Sequence, residues 1–104
     1  MGTDIYLSIE EKRDGIWVKI NNQKYYSIYR EGWGANRLID WLVYSATAMG
    51  WDNLPKDLSE ETKEAMIYFD PYSDFQSIKN PELYMPRCGY IDVGDIRIIF
   101  WWEY

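Results

Sequence analysis

The stretch 4–20 constrains the fold more than any other part of the chain. Ile5, Leu7 and Ile9 alternate with Tyr6, Ser8 and Glu10, the period-two pattern of a β-strand with one apolar face. Asp14-Gly15 follows, a dipeptide that tolerates the left-handed backbone needed at both central positions of a type I′ turn. Residues 16–20 then read as the returning strand. A two-residue turn fixes the register: Arg13 opposes Ile16, so Glu11 opposes Val18 and Ile9 opposes Ile20. Val18 and Ile20 thereby share a face with Ile5, Leu7 and Ile9. On the other face Glu10 opposes Lys19, a cross-strand pair of opposite charge. Turn chemistry, apolar face and charge pairing all specify the same hairpin.

The C-terminal segment is also strand. Residues 90–92 lead into a turn at Val93-Gly94, and 95–104 return from it. Ile96, Ile98, Phe100, Trp102 and Tyr104 form one face; Arg97, Ile99, Trp101 and Glu103 form the other. A strand apolar on both faces belongs in the middle of a sheet, or meets a partner on its outer face. Between the hairpins, residues 24–29 suggest a third strand and residues 30–34 a loop bending around Trp33. Residues 35–49 lack Gly and Pro and are followed by Gly50, which predicts the main helix. Its polar positions, Arg37, Asp40, Tyr44 and Thr47, make one narrow stripe, so it is expected to be largely buried against the sheet, or half-buried with a partner on the rest. Residues 51–58 read as loop. Ser59 is placed to cap a short helix over 60–69, with Glu60 and Glu61 in its first turn and Thr62, Ala65, Met66 and Phe69 facing inward. Asp70-Pro71 ends it, and residues 70–87 read as a long connection with three prolines. The expected fold is α+β: one domain over 1–104, an antiparallel sheet of two hairpins and a third strand, packed by one main and one short helix.

Composition sets the function classes. The chain has 104 residues and a net charge of −6, with 11 basic residues and no His. The basic residues are scattered, the longest run being Lys12-Arg13, which is a poor footprint for a phosphate backbone. An acidic surface does attract basic proteins. No apolar run approaches the length of a membrane span, and Asp4, Glu10 and Glu11 interrupt the opening in a way a signal peptide would not. Six Trp, ten Tyr and three Phe are too many rings for so small a core to hide completely. Exposed Trp and Tyr are the commonest anchors of binding sites.

Catalytic and metal chemistry find few footholds. Without His there is no Cys-His pair for Cys88 and no His ligand, and one Cys makes neither a disulfide nor a zinc site. The acids at 70 and 74 lack the alternate spacing of a calcium loop. No Gly-rich phosphate loop is present. The reading is therefore no enzyme, no cofactor and no metal.

Thr3-Asp4-Ile5-Tyr6, then Glu10 and Gly15-Ile16-Trp17, resemble the opening of a set of small phage and prophage proteins. Those begin with an Asp-Ile-His strand, an acidic residue and Gly-x-Trp on the return strand. Residues 26–30 and Asn53-Leu54-Pro55-Lys56-Asp57-Leu58-Ser59 resemble later parts of the same pattern, so the resemblance covers about the first 60 residues. Tyr6 stands where that pattern has His, and Asn53 where it has Gly. The resemblance carries no established activity. It implies a phage or mobile-element accessory protein acting in the bacterial cytoplasm, and anti-defence proteins, anti-CRISPR proteins among them, share this size and acidity.

Together these features lead to the expectation of a non-enzymatic inhibitor or adaptor that blocks a basic surface of a host or phage protein, without direct nucleic-acid or membrane contact. Trp33, Trp51, Trp101 and Tyr104 are the expected aromatic anchors. Asp70, Asp74, Asp92 and Asp95 are expected to steer the partner, and convergence of the acids on one face would make the surface a nucleic-acid mimic. The alternatives are a phage structural or assembly protein forming homo-oligomers, and a small enzyme using a carboxylate or Cys88.

Overall fold

A computed structural model describes residues 2–21, 26–29, 33–69 and 87–103, with side chains at 4–21, 37–66 and 87–102. The strands are β1 (Gly2–Arg13), β2 (Ile16–Lys19), β3 (Tyr26–Tyr29), β4 (Ala48–Met49), β5 (Cys88–Asp92) and β6 (Ile96–Glu103). The helices are α1 (Trp33–Ser45) and α2 (Glu60–Phe69), and Trp51–Asn53 makes a single 3-10 turn. Over the described residues the chain is α+β, with one antiparallel sheet in the order β2-β1-β6-β5-β4 and β3 on β1.

The N-terminal hairpin has the register its sequence specifies. Arg13 opposes Ile16 and Glu10 opposes Lys19. Asp14 and Gly15 both have positive φ, 52° and 81°, as a type I′ turn demands. β1 is long enough to hold β2 beside its second half and β3 beside its first, on the same edge. Its other edge pairs with β6 from Asp4↔Glu103 to Glu11↔Ile96.

Placing β6 between β1 and β5 explains its two apolar faces. Phe100 and Trp102 join Ile5 and Ile91 under Ile39 and Leu42 of α1. Ile99 and Trp101 join Tyr6 and Cys88 under Ala65 and Met66 of α2. The molecule is thus three layers, helix, sheet and helix, with a core on each side of the sheet.

Three boundaries differ from the sequence reading. Trp33 and Gly34 belong to the first turn of α1, not to a loop. The main helix ends at Ser45, and Ala48–Met49 form β4 against β5. Competition for backbone partners is the reason: Thr47 N–H donates to Tyr90 O and Gly50 N–H to Cys88 O, at 2.7 and 2.8 Å, so the sheet takes groups the helix would need. Residues 51–53 are a 3-10 turn within the expected loop, with Asn53 Nδ2 donating to Met49 O at 2.9 Å. Gly89 makes the β4 contact possible. A Cβ there would lie 2.6 Å from Met49 Sδ and 2.9 Å from Phe100 Cζ.

Candidate functional site

The face of β1 under α2 is not uniformly apolar. Tyr6 joins the core and stacks on Trp101 with ring centroids 5.6 Å apart, but Ser8 and Glu10 follow it on the same face, both fully buried. A buried carboxylate needs partners, and the fold supplies them from three elements. Arg97, opposite Glu10 on β6, donates from Nε to Glu10 Oε1 at 2.6 Å. Ser59 N–H and the Thr62 hydroxyl, at the start of α2, donate to Oε2 at 2.9 and 2.7 Å. Glu10 therefore sits as a built-in anion at the positive end of the α2 dipole.

The network extends from both ends of Glu10. Arg97 directs Nη1 to Asp57 Oδ1 and Nη2 to Asp57 O, at 2.9 and 3.0 Å, and its guanidinium rests 4.0 Å from the Trp17 ring centroid. Thr62 Oγ1 lies 2.6 Å from Ser8 Oγ, which accepts from Lys19 Nζ at 3.2 Å. Lys19 Nζ also donates to Asn21 Oδ1, and Asn21 Nδ2 donates to Leu7 O. Ser59 Oγ accepts from Thr62 N–H at 3.2 Å, the N-cap expected from the sequence.

The electrostatics follow from these contacts. Burial alone pushes the Glu10 carboxyl up, but hydrogen bonds from Ser59, Thr62 and Arg97 outweigh it and hold the pKa below the ordinary value. Asp57 is also held below its ordinary value, chiefly by the Arg97 hydrogen bond. Each Glu10 oxygen already accepts from within the fold, so the network works as a clamp between sheet and helix. The expected Glu10–Lys19 pairing is corrected to this extent: the Cα register is right, but the carboxylate bonds to Arg97 on the opposite neighbour of β1.

Two surface features flank the clamp. On the opposite face of the sheet, α1 buries Ile39 and Leu42 but exposes Trp41 at 55%, Val43 at 42% and Tyr44 at 92%. Of the two burial readings, central burial against the sheet is corrected: Trp41, Val43 and Tyr44 are exposed, and the helix is half-buried. Beside the clamp, a cleft of about 500 Å³ opens between residues 15–18 of the hairpin and residues 57–61 before and within α2.

The expected site residues scatter. Trp101 is fully buried and stacked on Tyr6, so it is a core residue and not a surface anchor. The physical reason is that β6 is covered by helices on both sides. Trp51 is half-buried against the Leu54–Met66 side of the second core and borders a smaller cleft of about 250 Å³. Trp33 begins α1, and its side chain lies outside the described residues, as do Asp70, Asp74 and Tyr104. Asp92 and Asp95 are exposed at the β5–β6 turn, where Asp92 Oδ1 accepts from Gly94 N–H at 3.0 Å. Cys88 is fully buried in the second core.

Sequence reasoning passed over Arg97, Ser8 and Thr62 as site residues. One signal could have exposed the clamp: Arg97 shares a face with Ile99 and Trp101, and a charge in such company requires a partner. Trp41 lies outside the polar stripe of α1 and Tyr44 within it, yet both are exposed.

Among the described residues no helix is long and apolar enough to cross a membrane, and no group of three or more potential metal ligands occurs. The chain matches no family model, no curated protein and no solved structure.

Proposed function

We propose that the domain is a non-enzymatic protein-binding inhibitor or adaptor of phage or mobile-element origin, acting in the bacterial cytoplasm by covering a basic surface of a host protein. An anti-defence role is the biological setting that the resemblance of its first 60 residues implies. The observation that carries the reading is the outer face of α1. Trp41 and Tyr44 are one helical turn apart on the side away from the buried Ile39 and Leu42, and both are exposed. Exposed aromatic anchors with polar neighbours, here Arg37 and Asp40, are the composition of a binding hot spot. The net charge of −6 favours a basic partner.

The test is affinity capture from nuclease-treated bacterial lysate with the wild type and a Trp41→Ala/Tyr44→Ala variant. Wild type is expected to hold a stoichiometric basic protein that added salt releases, and the variant to lose it with an unchanged melting temperature. Equal capture by both would contradict the reading. A wild type that forms oligomers without a foreign partner, and loses them in the variant, would replace it with the assembly reading.

A further inference from the structure

The cleft beside the clamp has walls of two kinds. Trp17 and Leu58, both half-buried, give it an apolar surface, while the side chains of Ile16 and Val18 alternate to the other face of the hairpin. Asp57, Glu60 and Glu61 supply three carboxylates, and among the described residues no Lys or Arg is part of the lining. Arg97 is bonded to Asp57 and rests on Trp17, Lys12 Nζ stands 6.0 Å from the Trp17 ring centroid and Lys63 approaches Glu60 at 3.5 Å, so the acidic character of the cleft is concentrated at Glu60 and Glu61.

The cleft also lies along an open edge. Among the described residues β2 is the last strand of the sheet on its side. In a two-residue hairpin the pair closing the turn, Arg13 and Ile16, exchanges both backbone hydrogen bonds, and such pairs alternate. The N–H and C=O of Ile16 and Val18 therefore face β1, and those of Trp17 face outward. An outward N–H and C=O on an edge strand accept an extended segment of another chain.

From this groove we infer that it takes an extended Lys- or Arg-bearing segment of a protein partner, laid along β2. The inference rests on the protein-binding reading above and names the chemistry of the partner. The aliphatic stem of Lys or Arg suits the apolar walls, and its cation suits the carboxylates. An anionic occupant such as a phosphate is disfavoured, although a helix begins here, because Glu10 already occupies the positive end of α2. A second copy of this chain is disfavoured by its own charge of −6.

Fluorescence anisotropy of the intact protein with a labelled peptide, acetyl-Lys-Val-Arg-Val-Lys-amide, tests the inference. Three comparison peptides are used: one with Glu in place of each basic residue, one with Pro in place of each Val, and the unlabelled parent as competitor. The basic peptide is expected to bind saturably below about 100 µM, to be displaced by the competitor and to weaken with salt. The acidic peptide should not bind. The Pro peptide keeps the charge but cannot complete the edge, so it should bind several-fold more weakly. Glu60→Gln/Glu61→Gln should weaken binding roughly tenfold, and Glu60→Lys/Glu61→Lys, which puts cations in the groove, should abolish it, with circular dichroism confirming both folds. Absent binding, equal binding of the acidic or Pro peptide, or indifference to the groove variants would overturn the inference. Trp41→Ala/Tyr44→Ala should leave peptide binding unchanged. If the groove fails while that variant still loses its captured partner, the protein-binding reading survives alone; if the variant keeps its partner while the peptide behaves as expected, only the α1 face is overturned.

Discussion

Glu10 is an ionised carboxylate in the dry interior, tied to β6 through Arg97 and to α2 through Ser59 and Thr62. Removing one member of such a pair leaves the other charge buried alone, which costs about 3–5 kcal/mol. Arg97→Met should therefore lower stability by that amount in urea unfolding at pH 7, and Asp57→Asn, at the exposed end of the network, by much less. The pH dependence has a definite sign. The folded pKa of Glu10 lies below the ordinary 4.5, so between the two values the unfolded chain binds more protons. Its stabilising contribution is complete above the ordinary value and is lost as the pH falls through it toward the depressed one. Urea midpoints measured from pH 6 to pH 3 should fall on acidification, and Glu10→Gln should remove part of that slope. Trp101 belongs at this scale too. Its indole is buried without a hydrogen-bond acceptor among the described residues, so it is held by packing, and Trp101→Ala should cost about 3–5 kcal/mol.

Individual residues were legible in the sequence only where their neighbours were local. The Glu10↔Lys19 register follows from the turn, but whether Glu10 reaches across to β2 or to β6 depends on a strand pairing made 87 residues away. Pattern alone does not carry that information.

Among the elements, the hairpin and the capped helix were written locally and formed as written. Ser59 accepts from Thr62 N–H and its own N–H reaches Glu10, so Ser59→Ala should lower stability by about 1 kcal/mol through the lost cap, read as a reduced melting temperature. Gly89 tests the other core. A methyl group there collides with Met49 Sδ, the Ala48 carbonyl of β4 and Phe100 at once, and Gly89→Ala should cost about 1–3 kcal/mol, again by thermal unfolding. The end of α1 was not legible. Residues 46–49 have helical composition, but β5 offers their backbone better-placed partners, and tertiary pairing overrides propensity. The double apolar face of β6 was legible as a central strand; that its second face would be covered by α2 required the three-layer arrangement.

At the scale of the molecule, the two helices lie on opposite sides of the sheet, so the exposed face of α1 and the cleft beside α2 point in different directions. Net charge adds a long-range field to both. If the partner is basic, its association should slow and weaken as ionic strength rises past about 0.1 M, where the screening length is about 10 Å. The site was the least legible part of the sequence. An excess of Trp and Tyr signals that some rings are exposed, but which ones depends on which faces the sheet and helices cover. Trp101 and Trp41 show this, the one buried and the other exposed.

The most direct test is a titration of the captured partner, purified, with wild type and Trp41→Ala/Tyr44→Ala by isothermal calorimetry at low and moderate salt. Loss of two exposed anchors should weaken binding at least tenfold at either salt, with the melting temperature unchanged and the wild-type affinity falling as salt rises. An affinity that ignores both the substitutions and the salt would contradict a binding surface built from the α1 aromatics and steered by charge.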